Sequence, residues 1–216
     1  MPLVYQQNIN ASTKLGVWHI AEPEAFFLEK VPSHRAITHP NKRLQHLAGR
    51  YLLKELFDDF PYELIRIADT KKPFLENEAY HFSISHSGEY AAVIASRDHR
   101  VGVDVELISA KVEKVKHKFL SDQEQLLLTQ IPLFPFTAFN EKLLTAAWSI
   151  KESLFKWQGS SEVDFKKHLQ LLAIQLTGNE GVADCKIIRG EAVVDLTVHF
   201  LFSNNNCVSW VLNNTL

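Results

Sequence analysis

The sequence predicts an α+β protein, and three observations carry that prediction. Apolar residues recur at helical spacing over 44–57 and again over 143–154, period-two alternation fills much of 82–106, and four more alternating runs follow Gly159. The chain has 216 residues, 46% of them hydrophobic and 22% charged, so it has the apolar material for a real core and is not disordered.

Two short strand-like pieces lie within 3–21, the second reading LGVWHIA, and Pro23 then permits a helix start. Trp18 and His19 read as core and rim residues. The next helix has Asn41 as its expected N-cap after Pro40, with Leu44, Leu47, Ala48, Tyr51, Leu52 and Leu56 as its apolar stripe. Arg43 and Arg50 stand two turns apart and so project from one side of it. Arginines so placed are commonly a solvated face, and their planar forks also suit a phosphate clamp. Beyond the polar stretch 69–72, Lys72-Pro73 fixes an extended loop, because the residue before proline avoids helical geometry.

Residues 82–87 read FSISHS, a strand running into a serine-histidine turn at Gly88 whose hydroxyls and amides can hold an anion. His86 amid three serines is hard to explain by burial, since each buried hydroxyl needs its own partner. Residues 97–100 then turn the chain back into GVDVE at 102–106, which reads as an antiparallel hairpin joining the serine-histidine turn and the next strand in one sheet. In that strand Val101, Val103 and Val105 alternate with Asp104 and Glu106, which puts both carboxylates on one face. Like charges so close repel, and the strand gains nothing from them unless a cation or basic ligand lies between.

Residues 111–118 are lysine-rich, either a solvated surface or a contact for an acidic partner. Ser121 with Glu124 signals a helix start, and the proline-containing 131–140 reads as a loop. The helix after it contains WSIKESLFKWQ at 148–158, with Leu143, Ala147, Ile150 and Leu154 on one side and Glu152 and Lys156 one turn apart on another. Such a pair is commonly a surface ion pair contributing about 0.2–0.5 kcal/mol. Set beside Asp104 and Glu106, however, Glu152 completes an oxygen-only group of three carboxylates, the donor chemistry of Mg²⁺ with substrate phosphate oxygens. In outline that is a phosphoryl-transfer site. The four strand-like segments after Gly159 read as scaffold.

The net charge of −2 gives no electrostatic case for nucleic acid or an anionic membrane as partner. The two cysteines, Cys185 and Cys207, read as small core hydrophobes of a reduced, cytosolic protein. The first residues lack a basic start followed by an apolar run, and nowhere do about 18 apolar residues follow one another. The expected location is the cytoplasm.

Taken in order, FSISHS, GVDVE and WSIKESLFK resemble the marks of the 4'-phosphopantetheinyl transferases of the surfactin-synthetase type: a serine-histidine-serine turn, a G-x-D-x-E strand and a W-x-x-K-E-x-x-x-K helix. KRLQHLAGR at 42–50 is similar to the basic helix of the enterobactin-pathway members, and Lys72-Pro73 to the family's lysine-proline loop. After the helix, Gly159 is followed by Ser160, Ser161 and Glu162 where members commonly continue with further glycines and a leucine. The resemblance implies a monomer of two similar α/β halves in pseudo-two-fold arrangement with the active site at their interface, divided here as 1–108 and 109–216. It implies transfer of the 4'-phosphopantetheine arm of coenzyme A to a serine hydroxyl of an apo acyl or peptidyl carrier protein, releasing 3',5'-ADP. It implies that Asp104, Glu106 and Glu152 hold Mg²⁺, with Mn²⁺ as a substitute, and that Glu152 also helps deprotonate the serine. Lys156 is then the pyrophosphate's cation, and Arg43, Arg50, Lys72, Ser85 and His86 grip the phosphates of coenzyme A.

Two other readings use the same residues. A metal-dependent nuclease or phosphohydrolase needs three carboxylates and a lysine, but the net charge is wrong for gripping a polyanion. A non-catalytic coenzyme A-binding module has no need of all three carboxylates.

Overall fold

The computed structural model describes residues 2–31, 37–70, 72–131, 138–160 and 162–213, and only the backbone of 138–140. The chain divides into two units, Met1–Val101 and Gly102–Leu216. The division falls before the 108/109 join expected from the sequence, so Asp104, Glu106, Glu152 and Lys156 all stand in the second unit.

The first unit contains β1 (Leu3–Asn8), β2 (Thr13–His19), α1 (Glu24–Leu28), α2 (Pro40–Leu56), β3 (Ile65–Ile67), β4 (Pro73–Leu75), β5 (His81–Ser87) and β6 (Tyr90–Ser96). Four strands make an antiparallel sheet in the order β1-β2-β6-β5, while β3 and β4 pair separately. α2 begins two residues earlier than the Asn41 cap predicts: Pro40 is inside the helix and His39 is the N-cap. Proline fits the first helical position because its missing N–H has no intrahelical partner there and its φ is already helical. Leu47, Ala48, Tyr51, Leu52 and Leu56 are buried as the stripe predicts. The helix lies so close to the sheet that a Cβ on Gly49 would stand 2.6 Å from Ile84 Cγ2.

Two local expectations are corrected here. His86 and Ser87 belong to the strand rather than to a turn, with His86 opposite Ala91 and Ser87 opposite Tyr90. The reversal is made by Gly88 and Glu89, Gly88 taking a left-handed φ of +56° that costs glycine least. The second correction is that the carboxylate strand does not share this sheet.

That strand, β7 (Arg100–Leu107), is the edge of a five-stranded sheet whose order is β7-β11-β10-β9-β8. Its partners β8 (Leu169–Thr177), β9 (Glu180–Arg189), β10 (Ala192–Ser203) and β11 (Asn206–Asn213) are the four alternating runs after Gly159. Between β7 and β8 come α3 (Lys111–Phe119), α4 (Asp122–Thr129) and α5 (Ala138–Gln158). α4 has the expected capping box: Glu124 Oε2 accepts from the Ser121 N–H at 2.7 Å, and Ser121 Oγ accepts from the Glu124 N–H at 3.3 Å. Of the loop expected at 131–140, residues 132–137 lie outside the described residues and 138–140 are already helical.

α5 packs across this sheet and buries Leu143, Ala147, Ile150 and Leu154 at 1% exposure or less, each larger side chain contributing about 1.5–3 kcal/mol. Gly102 explains how closely it lies to β7. A Cβ there would be 2.1 Å from the Ser153 carbonyl oxygen and 2.8 Å from the Trp157 nitrogen, so only glycine admits the helix backbone. Cys185 and Cys207 are free thiols in this core, as expected. No helix among the described residues is long and apolar enough to cross a membrane.

Candidate active site

The close approach at Gly102 sets one turn of α5 over the acidic residues of β7. The alternation predicted a strand with one face open to solvent, but Asp104 is only 2% exposed because α5 covers it. Lys156 Nζ donates to Asp104 Oδ1 at 2.6 Å, so the α5 lysine pairs across to the strand as well as standing one turn from Glu152. Glu106, further along β7, accepts from the Trp148 indole N–H at 3.1 Å.

Glu152 lies on α5 one turn from both Trp148 and Lys156. Its pKa is pushed up to about 7, first by burial and then by Asp104, with Lys156 opposing and Glu106 adding to the rise. Three carboxylates that feel each other in a shielded place are chemically suited to a hard divalent cation, which would relieve their repulsion. The donor chemistry therefore fits Mg²⁺. Among the described residues, however, no group of three His, Cys, Asp or Glu side chains is gathered closely enough to hold an ion. Asp104 is held by an ammonium and Glu106 by an indole.

The basic residues singled out in the first unit are engaged in different ways. Arg43 makes a bidentate pair with Glu24 of α1, Nε to Oε1 at 2.6 Å and Nη2 to Oε2 at 2.9 Å, and its Nη1 donates to the Ile37 carbonyl at 2.8 Å. Arg50 is 4% exposed and donates through Nε to His46 Nε2 at 2.9 Å, while its Nη1 finds no hydrogen-bond partner among the described residues. Burial lowers its pKa. Ser85 and His86, being adjacent in a strand, face opposite ways: Ser85 is buried and His86 is exposed. Lys72 has its pKa lowered to about 8, mainly by burial and further by the charge of Arg100.

The sequence model of one family matches residues 100–192, which hold β7, α5 and everything between them. That family is the 4'-phosphopantetheinyl transferase superfamily. The resemblance is borne out over this stretch, which holds GVDVE and WSIKESLFK, while FSISHS lies before it. A protein of Aneurinibacillus migulanus named 4'-phosphopantetheinyl transferase gsp is 34% identical over 113 residues, covering 51% of this chain and 44% of the relative. A Xenopus laevis protein named L-aminoadipate-semialdehyde dehydrogenase-phosphopantetheinyl transferase is 36% identical over 70 residues, 27% of this chain and 23% of that one. The matches thus span less than half the length of these curated relatives.

Three residues of the arrangement had no role in the sequence reading. Trp148 bonds Glu106, and its only signal was its place at the head of WSIKESLFK. Arg100 acts on Lys72 from across the sequence, which no spacing rule reveals. Lys151 is fully buried, and a lysine beside a glutamate on a helix ordinarily signals a surface.

Proposed function

We propose that this protein transfers the 4'-phosphopantetheine arm of coenzyme A to a serine hydroxyl of an apo acyl or peptidyl carrier protein. The observation that supports it most is the acid group of β7 and α5, with Glu152 raised to about 7 beside Asp104 and Glu106, lying inside the stretch that matches the transferase superfamily. The names of both relatives point the same way.

In this reading Asp104, Glu106 and Glu152 would have to draw closer together than they stand here to hold Mg²⁺ or Mn²⁺, which when bound would neutralise charge on the pyrophosphate. The serine oxygen bonds to the pantetheine-bearing phosphorus as the bond to the bridging oxygen breaks, and 3',5'-ADP departs. Glu152 accepts the serine's proton directly or through water. Lys156 neutralises Asp104 and is the cation within reach of a pyrophosphate oxygen on this helix. The phosphates of coenzyme A are assigned to Lys72 with Arg100, to Arg50, whose Nη1 still has a proton to donate, and to His86. Ser85 lines the strand beneath His86, and Arg43 would have to leave Glu24 to take part. The two similar halves, a monomeric state and a cytoplasmic location belong to the same proposal.

The test is intact-mass spectrometry of several apo carrier proteins incubated with protein, coenzyme A and Mg²⁺. The expected result is a carrier heavier by one arm with 3',5'-ADP in equal amount. Carriers unchanged in mass while a phosphodiester or nucleotide is hydrolysed would replace this reading with a hydrolase.

A further inference from the structure

Lys151 has 0% exposure, and its three ammonium protons have three acceptors: Glu124 Oε1 at 2.7 Å, the Phe119 carbonyl at 2.7 Å and the Phe165 carbonyl at 2.9 Å. Glu124 is itself fully used. It is 4% exposed, caps α4 through the Ser121 N–H, and accepts the Leu171 N–H of β8 at 2.8 Å. A buried pair of this kind is weak evidence for stability as such, because a well-packed apolar pair often serves as well. What distinguishes this one is where the two carbonyls lead.

Phe119 and Phe165 are the two residues whose rings enclose Trp148. The Phe119 ring meets the indole edge-on at 5.0 Å, and the Phe165 ring stacks on it at 5.6 Å with 19° between planes. The indole so held donates to Glu106 Oε1. One ammonium thus ties together the end of α3, the chain before β8 and α5 itself, fixing the backbone of both aromatic jaws.

We infer that Lys151 is a positioning residue: with Glu124 it clips Phe119 and Phe165 around Trp148, and through the indole it sets the carboxylate of Glu106. The inference deepens the reading given under Proposed function and rests on it for the role of Glu106. Removing the clip lets the jaws part and the indole turn, so Glu106 loses the indole's hydrogen bond while every acid of the site remains.

A double-mutant cycle tests this, with Lys151→Met, Trp148→Phe and their combination read by transfer rate, by Mn²⁺ titration of the protein without coenzyme A, and by melting temperature. Because Lys151→Met leaves Glu124 buried without its cation, the companion Lys151→Met/Glu124→Gln is measured beside it to keep a folded form in hand. The expected result is a loss of about tenfold or more in kcat with little change in KM for coenzyme A, a weaker Mn²⁺ affinity, and strong non-additivity. In the Trp148→Phe background, Lys151→Met then costs at most about twofold further. The charge-free companion regains melting temperature but not kcat. Additive losses in the cycle, or a companion whose kcat returns with its melting temperature, would overturn the clip and leave a merely structural ion pair. If the wild type transfers no arm at all, the proposed function fails, and the clip is then judged by the Mn²⁺ cycle alone, where additivity overturns it.

Discussion

α2 and α5 are the same device used to opposite ends. Each is a long helix laid on a sheet, each passes a glycine that lets the two surfaces touch, and each bears charged residues that the sequence marked as candidates for phosphate chemistry. On α2 the charges are drawn inward: Arg43 is forked onto Glu24, and Arg50 is buried against His46 with its Nη1 left without a hydrogen-bond partner among the described residues. On α5 they are turned toward a strand that has charges of its own, so Lys156 meets Asp104, and Glu152 feels two further carboxylates. The difference lies in the surface each helix covers. The α2 sheet offers Ile84 and small apolar residues, whereas β7 offers Asp104 and Glu106 just past Gly102. A charged helix becomes a candidate site when the sheet beneath it answers in kind.

The largest break in that comparison is removal of the answering charge. Asp104→Ala takes away Lys156's partner and one of the acids, and arm transfer should fall by about 10³-fold or more, as expected when several kcal/mol of charge stabilisation is lost. The check is carrier mass against time, with circular dichroism confirming that the chain still folds.

Next in size is the pair of glycines. Gly102→Ala puts a methyl 2.1 Å from a helix carbonyl, and since backbone yields poorly it should destabilise the protein by about 3 kcal/mol and displace the acids besides. Gly49→Ala meets only the end of the Ile84 side chain, and alanine is about 1 kcal/mol the better helix former. Its net effect should stay within about 1 kcal/mol, so denaturant titrations of the two variants should separate clearly.

A smaller effect comes from Lys72. Its pKa of about 8 lies below the ordinary 10.5, so the folded protein sheds this proton more readily than the unfolded chain. Its charged form therefore weighs against folding at pH below about 8, and that cost fades as pH rises toward 10.5. For ligand binding the direction reverses, because a phosphate needs the ammonium. The KM for coenzyme A should rise about tenfold as pH passes upward through about 8, and Lys72→Met should flatten the profile.

The smallest effect is expected at Arg43. Its fork onto Glu24 is partly open to water, so Arg43→Ala should raise the KM for coenzyme A no more than about fivefold. A much larger rise would join Arg43 to Arg50 as a phosphate clamp on α2 and bring the two helices closer in use.

Much of this was legible because the rules that write it are local. The capping box of Ser121 and Glu124, the apolar stripes of α2 and α5 and the alternation of β7 each depend on residues a few positions apart. What stayed hidden depends on partners far along the chain. The neighbour of β7 is β11 rather than the adjacent β6, since strand pairing is set by how whole sheets close and not by chain order. The fork of Arg43 onto Glu24 and the burial of Lys151 against Glu124 are likewise absent from any spacing. The acid group was found in advance only because two local patterns, each ambiguous alone, were read together.

The most direct measurement is transfer by Glu152→Ala beside the wild type, with melting temperature recorded for both. Wild type should load an apo carrier with the arm from coenzyme A, and the variant should load none while melting within a few degrees of it. A variant that loads the carrier at the full rate would contradict the central claim that the chemistry resides where α5 meets β7.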